Sequence, residues 1–201
     1  MNTEQFWNVI GLYNTDTIYI QIIFTILLAA SVILAYKKKY QTLPEIVLSV
    51  INIFIGVIYF IYYGTDPIQS YFAAPLFILV GLLFGWEAIK HKNAKFNGVK
   101  GSRLALLVLI MLYPIISILL GNHFPKTTTY IMPCPIISLS IVIYLCYEKH
   151  NKLLLALLII WGLTGVKAFL FNALEDIILL ICGFYAIMIF IEDIKTKSFF
   201  R

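Results

Sequence analysis

Seven runs of apolar residues, each bounded by charged or turn-forming residues, leave this chain few ways to fold. They cover residues 18–36, 45–63, 71–89, 104–120, 135–147, 153–171 and 177–191. A hydrocarbon core of about 30 Å takes roughly 20 helical residues per crossing, and most of these runs have that length. With 61% hydrophobic and 12% charged residues, the chain lacks the polar surface of a soluble domain. The expected fold is all-α, an integral membrane bundle of seven transmembrane helices. Short connections make residues 1–201 one transmembrane domain, with an interfacial outer segment at 1–17, the spans within 18–191 and a tail at 192–201.

Basic residues set the expected orientation. Lys37 to Lys39, Lys90, Lys92, Lys95, Lys100, Arg103, Lys149, Lys152, Lys195, Lys197 and Arg201 fall on one side of the predicted bundle, 13 of the 15 Lys and Arg. Only Lys126 lies in a loop of the other side, and Lys167 is inside the sixth run. The positive-inside bias therefore places the amino terminus outside and the carboxyl terminus in the cytoplasm of a cell membrane. The formal charge of +5 is then an orientation signal facing anionic headgroups, which makes the lipid bilayer the partner and leaves no reason to invoke nucleic acid.

Local signals subdivide the runs. Asn2 and Gln5 have the spacing of a capping pair, and Phe6, Val9, Ile10 and Tyr13 recur at helical spacing, which predicts a short interfacial helix anchored by Trp7. Thr42 and Glu45 have the same capping spacing at the start of the second run, which gives Glu45 a structural role. Asn52 at membrane depth is expected to hold helices together. Gly98 and Gly101 predict turns in the longest cytoplasmic loop, where His91 reads as solvated. Pro114 predicts a kink that frees a carbonyl near Ile110.

The stretch 121–140, GNHFPKTTTYIMPCPIISLS, carries the main chemical signal. The fifth run has 13 residues, about 20 Å of helix, so the loop before it is expected to dip inward. Pro133 and Pro135 flank Cys134, which would cap a helix starting at Pro135, where free amides and the positive helix end favour a thiolate. Counting the helical rise places Cys134, Lys167 and Cys182 in one layer of the outer half, each about 20 Å from the inner face. His123, Glu175 and Asp176 lie above it. An intramembrane lysine marks a functional site by default, with Glu175 or Asp176 as its counter-charge.

That layer admits three chemistries and one purely structural reading. Cys134, Cys182 and His123 are candidate ligands for a soft metal ion. Cys134 and Cys182 could form a disulfide or exchange with a thiol in an outward-facing redox protein. A helix start beside Lys167 could seat a small anionic solute, as in a transporter. In the structural or sensory reading no substrate is carried and Lys167 snorkels to the headgroups.

Gly56-Val57, Phe60 to Tyr62 and Asp66 match Gly165-Val166, Phe169 to Phe171 and Glu175 at an offset of 109, which suggests a 3+1+3 parallel repeat. The seventh run has no lysine for a retinal Schiff base. No phosphate-cradling loop, zinc-protease helix or nucleophile elbow occurs, so no catalytic residue and no cofactor is assigned.

Tyr13-Asn14, Tyr113-Pro114, Gly121 with His123 and Pro125, Pro133-Cys134-Pro135 and Asp176 together resemble an uncharacterised family of bacterial multi-pass membrane proteins, classed as a domain of unknown function. The resemblance covers nearly the whole chain and implies the multi-pass topology in a bacterial plasma membrane, with no activity attached. The family carries threonines after the Pro-Cys-Pro motif, where this chain has Ile136 and Ile137, and hydroxyls return at Ser138 and Ser140.

Overall fold

The computed structural model describes residues 2–90 and 95–199, with side chains as far as residue 195. His91 and Lys92 lie outside the described residues. The chain forms helices α1 (Thr3–Tyr36), α2 (Leu43–Phe54), α3 (Ala74–Lys90), α4 (Ser102–Met111), α5 (Tyr113–Leu119), α6 (Pro133–Tyr144), α7 (Lys152–Leu163), α8 (Ala168–Phe171) and α9 (Ile177–Phe199). A π-helix (Ile55–Tyr62) extends α2, another (Gln69–Ala73) leads into α3, and 3-10 turns (Thr164–Lys167 and Leu174–Asp176) join α7 to α8 and open α9. No strand occurs among the described residues, only an isolated antiparallel bridge between Phe96 and Tyr147.

Five of these continuous helical stretches are long and apolar enough to cross a membrane. The α4–α5 pair adds a sixth if it is counted as one span bent by 45°. Large apolar side chains face outward along them, including Ile22, Ile26 and Leu27 of α1 and Phe184 and Met188 of α9. An apolar surface of that extent is compatible with insertion into lipid.

The fifth expected span is different. α6 has 12 residues, about 18 Å of helix, too short to cross. It lies at the centre of the bundle, packed on α2, α4, α7 and α9. All of its residues except Cys134 are buried. The preceding loop completes its path through the interior, as its length required, with Thr127, Thr128, Ile131 and Met132 buried.

Two other expectations are corrected. The interfacial helix and the first span are one helix, α1, of 34 residues and about 51 Å. Nothing between Asp16 and Ile18 breaks it, and the Thr15 and Thr17 hydroxyls donate back to the Gly11 and Tyr13 carbonyls one turn earlier. The expected cap at its start is present, with Gln5 N donating to Asn2 Oδ1 at 2.8 Å and Asn2 N to Gln5 Oε1 at 3.1 Å. The cap at Thr42 is not formed. Thr42 has helical dihedrals rather than the extended ones a cap requires, and Glu45 falls on the buried stripe of α2 with Leu48 and Asn52.

The proline kink is where Pro114 predicted it. The carbonyl that finds a new donor is that of Met111, one residue beyond the expected Ile110, and it accepts from Tyr130 Oη at 2.9 Å. Asn52 is fully buried and ties α2 to α6 through Ser140 Oγ at 3.4 Å. Gly98 and Gly101 turn with φ of +75° and +57°, and a side chain at Gly98 would meet the Tyr36 ring. Of the suggested repeat, the α2–α3 and α7–α9 hairpins share a glycine at their crossings, Gly56 and Gly165. Their third members differ, α1 being long and outward-facing and α6 short and enclosed.

At the lysine-rich end, Asn151 caps α7 through Leu153 N (2.9 Å) and Leu154 N (3.4 Å), and donates to Glu87 Oε1 at 2.9 Å. Asn151→Ala removes the cap and one bond to a buried carboxylate. The expected loss is about 2 kcal/mol, the sum of a cap and a charged hydrogen bond, read as a lower Tm in detergent.

Candidate functional site

The regular helices give way to π and 3-10 turns around one place, near the lysine-poor end of the bundle. A cavity of about 310 Å³ opens there. Tyr59 and Phe60 reach it from the first π-helix, and Gln69, Phe72 and Ala73 from the second. Thr164 and Lys167 come from the first 3-10 turn, Asp176 from the second, and Cys134 from the first turn of α6. Each of the four irregular turns contributes at least one side chain to the lining. Cys134 escapes the burial of its neighbours on α6 because it faces this space.

Three of the six sequence-predicted residues therefore meet. Cys134, Lys167 and Asp176 line the same cavity. Glu175 is turned away into the protein, 1% exposed, where its Oε1 accepts from Thr128 Oγ1 at 2.7 Å. Cys182 is fully buried behind the cavity lining, beside Tyr113 and Ser138. His123 is exposed in the loop before α6 and its backbone carbonyl accepts from Lys126 N at 2.8 Å. Cys134 and Lys167 thus share one cavity, and Cys182 is turned away from it.

The helix that presents Cys134 begins at Pro133, two residues earlier than the sequence suggested, because Met132 takes the extended capping conformation (φ −124°, ψ 161°). Cys134 accordingly occupies the first turn rather than the cap. All three cysteines are free. Among the described residues, no group of three or more His, Cys, Asp or Glu side chains is arranged to hold a metal ion.

Polar groups around the cavity are unusually short of partners. Trp161 Nε1 is buried beside the Cys134 thiol with no hydrogen-bond acceptor. Tyr113 Oη, fully buried, faces Asp176 and Ser138 without completing a bond to either. Glu175 Oε2 has no partner. Buried donors and acceptors are otherwise paired in folded proteins because each lone one is costly. Three such groups lie within one neighbourhood.

With that geometry in view, residues 3–201 match the model of a protein family. The chain belongs to DUF6064, a family of unknown function. No curated protein and no solved structure matches it. The DUF6064 match spans every helix described above, from α1 to α9.

Sequence reasoning missed part of the candidate site. Thr128, Tyr59 and Phe60 carry no signal of their own in an aromatic-rich membrane sequence, and their place depends on π-helical turns that no sequence pattern announced. It also missed a polar cluster at the opposite end. Glu45, 2% exposed, keeps Oε2 unpartnered within electrostatic reach of Glu87, and His150 Nδ1 is 2.8 Å from Asp193 Oδ2. The regular spacing of Glu45 with Leu48 and Asn52 was the available signal, outweighed by its capping position.

Proposed function

We propose that this is an integral membrane protein, amino terminus outside, that binds a small solute in its outer half, in the cavity bounded by Cys134, Trp161 and Asp176. The observation that carries the reading is the coincidence of that cavity with buried polar groups left unpartnered, at the Pro-Cys-Pro turn. The volume is at the lower end of the range of small-molecule pockets, and a mainly apolar wall with a few convergent polar groups is their usual composition. Transport is the larger activity this binding would serve. Asn52 and Ser140 are fully buried against each other between α2 and α6, so passage would require α6 to move.

The rival readings draw less support. A thiol redox role wants Cys134 near Cys182 or His123, and neither lines the cavity. A soft metal ion wants a converging donor set. The structural or sensory reading is favoured by one observation, the exposure of Lys167.

The test is labelling of Cys134 in intact cells by a membrane-impermeant maleimide, with Cys146 and Cys182 replaced by alanine. Labelling is expected to be rapid, and Thr164→Trp, which fills the cavity from the 3-10 turn, is expected to slow it about tenfold, the effect of a barrier higher by about 1.4 kcal/mol. Labelling only after denaturation would sink the cavity reading. Labelling only from inverted vesicles would reverse the orientation.

A further inference from the structure

The cavity has a carboxylate in its wall and the preceding residue's carboxylate behind that wall. Asp176 lines it, and Glu175 lies directly behind, 1% exposed with Oε2 unpartnered. Neither forms an ion pair among the described residues. Lys167, the cation expected to answer them, lines the same cavity but is exposed and within electrostatic reach of Asp66, another residue of the lining. A carboxylate removed from water without a cation is costly, and two side by side repel each other. Among the described residues, the cavity wall and the layer behind it hold three carboxylates, Asp66, Asp176 and Glu175, against the single cation Lys167.

The remaining wall says what form a balancing positive charge takes. The rings of Tyr59, Phe60, Phe72, Trp161 and Phe171 line the cavity and offer no metal-ligating atoms apart from one phenol. Aromatic faces attract organic cations through their quadrupoles and receive apolar groups equally well. A bare metal ion would find carboxylates without a full coordination shell, and an anion would meet Asp176 and Glu175 head-on. A neutral solute would leave both carboxylates as they are. An alkyl- or arylammonium compound answers the carboxylates with its nitrogen and the rings with its body.

We propose that the cavity binds a small organic ammonium compound, its cationic nitrogen at Asp176 with Glu175 reinforcing the field from behind, and its apolar part against Phe60 and Trp161. The proposal rests on the solute-binding reading above and gives it a ligand class that excludes the anionic solute first suggested by Lys167.

The experiment compares three probes of one shape in the purified full-length protein, in nanodiscs free of amine-bearing lipids. Phenethylamine is the cation, 2-phenylethanol the neutral form and 3-phenylpropionate the anion, and the readout is protection of Cys134 from maleimide in the Cys146→Ala, Cys182→Ala background. Phenethylamine is expected to protect at about tenfold lower concentration than either of the others, and Asp176→Asn to erase that advantage while leaving protection by the alcohol unchanged. Glu175→Gln should weaken the amine about threefold, since it acts through the field alone. Equal protection by the alcohol, or better protection by the carboxylate, overturns the ammonium class and leaves solute binding standing. A thiol that labels freely and that none of the three protects also overturns it. A thiol that cannot be labelled at all brings down the underlying cavity reading instead.

Discussion

Gly165→Val is expected to remove the folded protein altogether. A Cβ at Gly165 would lie 2.7 Å from Leu180 N and 2.8 Å from Asp176 O, both backbone atoms at the start of α9. One turn away, a Cβ at Gly162 would lie 2.8 Å from Gly183 Cα. Backbone cannot swing aside as a side chain does, so α9 would have to move away from α7 along its whole contact. Small residues at such crossings are how apolar helices gain packing when lipid is as apolar as they are. Overpacking within a core costs about 1–3 kcal/mol and occasionally more, and a clash with main chain on both sides belongs at or above the top of that range. The check is the monodisperse yield and Tm of Gly165→Val in detergent.

Gly11→Ala is the matched control. Its new methyl would touch Lys126 Cγ at 3.5 Å and Pro125 Cγ at 3.7 Å, ordinary contact distances. Inside α1 the exchange should be neutral or stabilising by up to about 1 kcal/mol, the helix-propensity difference between the two residues. Loss of the fold in both variants would show that the α7–α9 crossing has no special place in the bundle. The same crossing connects stability to the site, because Asp176 is held at the cavity by the turn that Gly165 packs against.

What was legible in the sequence follows from the range of the interaction involved. The cap between Asn2 and Gln5 and the kink at Pro114 depend on atoms within one turn of helix, and both are present. Cys134 and Lys167 could be brought to one level by counting rise along helices whose ends were known, and they share a cavity. Rise gives height and not azimuth, so it could not tell that Cys182 faces away from the cavity. Thr42 and Glu45 failed for a related reason. Two readings of Glu45 were consistent with local spacing, and the tertiary environment chose the buried stripe over the cap. The Thr128–Glu175 bond joins residues 47 apart, and the π-helical turns that carry Tyr59 and Phe72 have no sequence signature, so the side of the site they build was out of reach.

Asn14→Leu should both destabilise the protein and open the site. Asn14 is fully buried on α1, and its Nδ2 donates to Pro125 O at 2.7 Å and Thr127 O at 2.8 Å, fixing the loop that runs into the Pro-Cys-Pro turn. Its Oδ1 accepts from Gln21 Nε2 at 3.1 Å. Gln21 in turn accepts from Thr129 Oγ1, and Tyr13 Oη donates to Ile131 O at 2.7 Å, so one face of α1 holds the loop from Pro125 to Ile131. Leucine has similar volume and no donor, which leaves two loop carbonyls and one glutamine amide short of partners. Each such group costs about 1–3 kcal/mol when it stays buried, and relaxation toward water limits the total to about 2–5 kcal/mol. Asn14→Asp should be worse, since it turns an acceptor and a charge toward those carbonyls. The loop can recover water only by leaving the interior, and Met132 and Pro133 at its end form part of the cavity wall. Faster maleimide labelling of Cys134 should therefore accompany the lower Tm. A lower Tm with labelling unchanged would mean that α1 stabilises the bundle without setting the shape of the site.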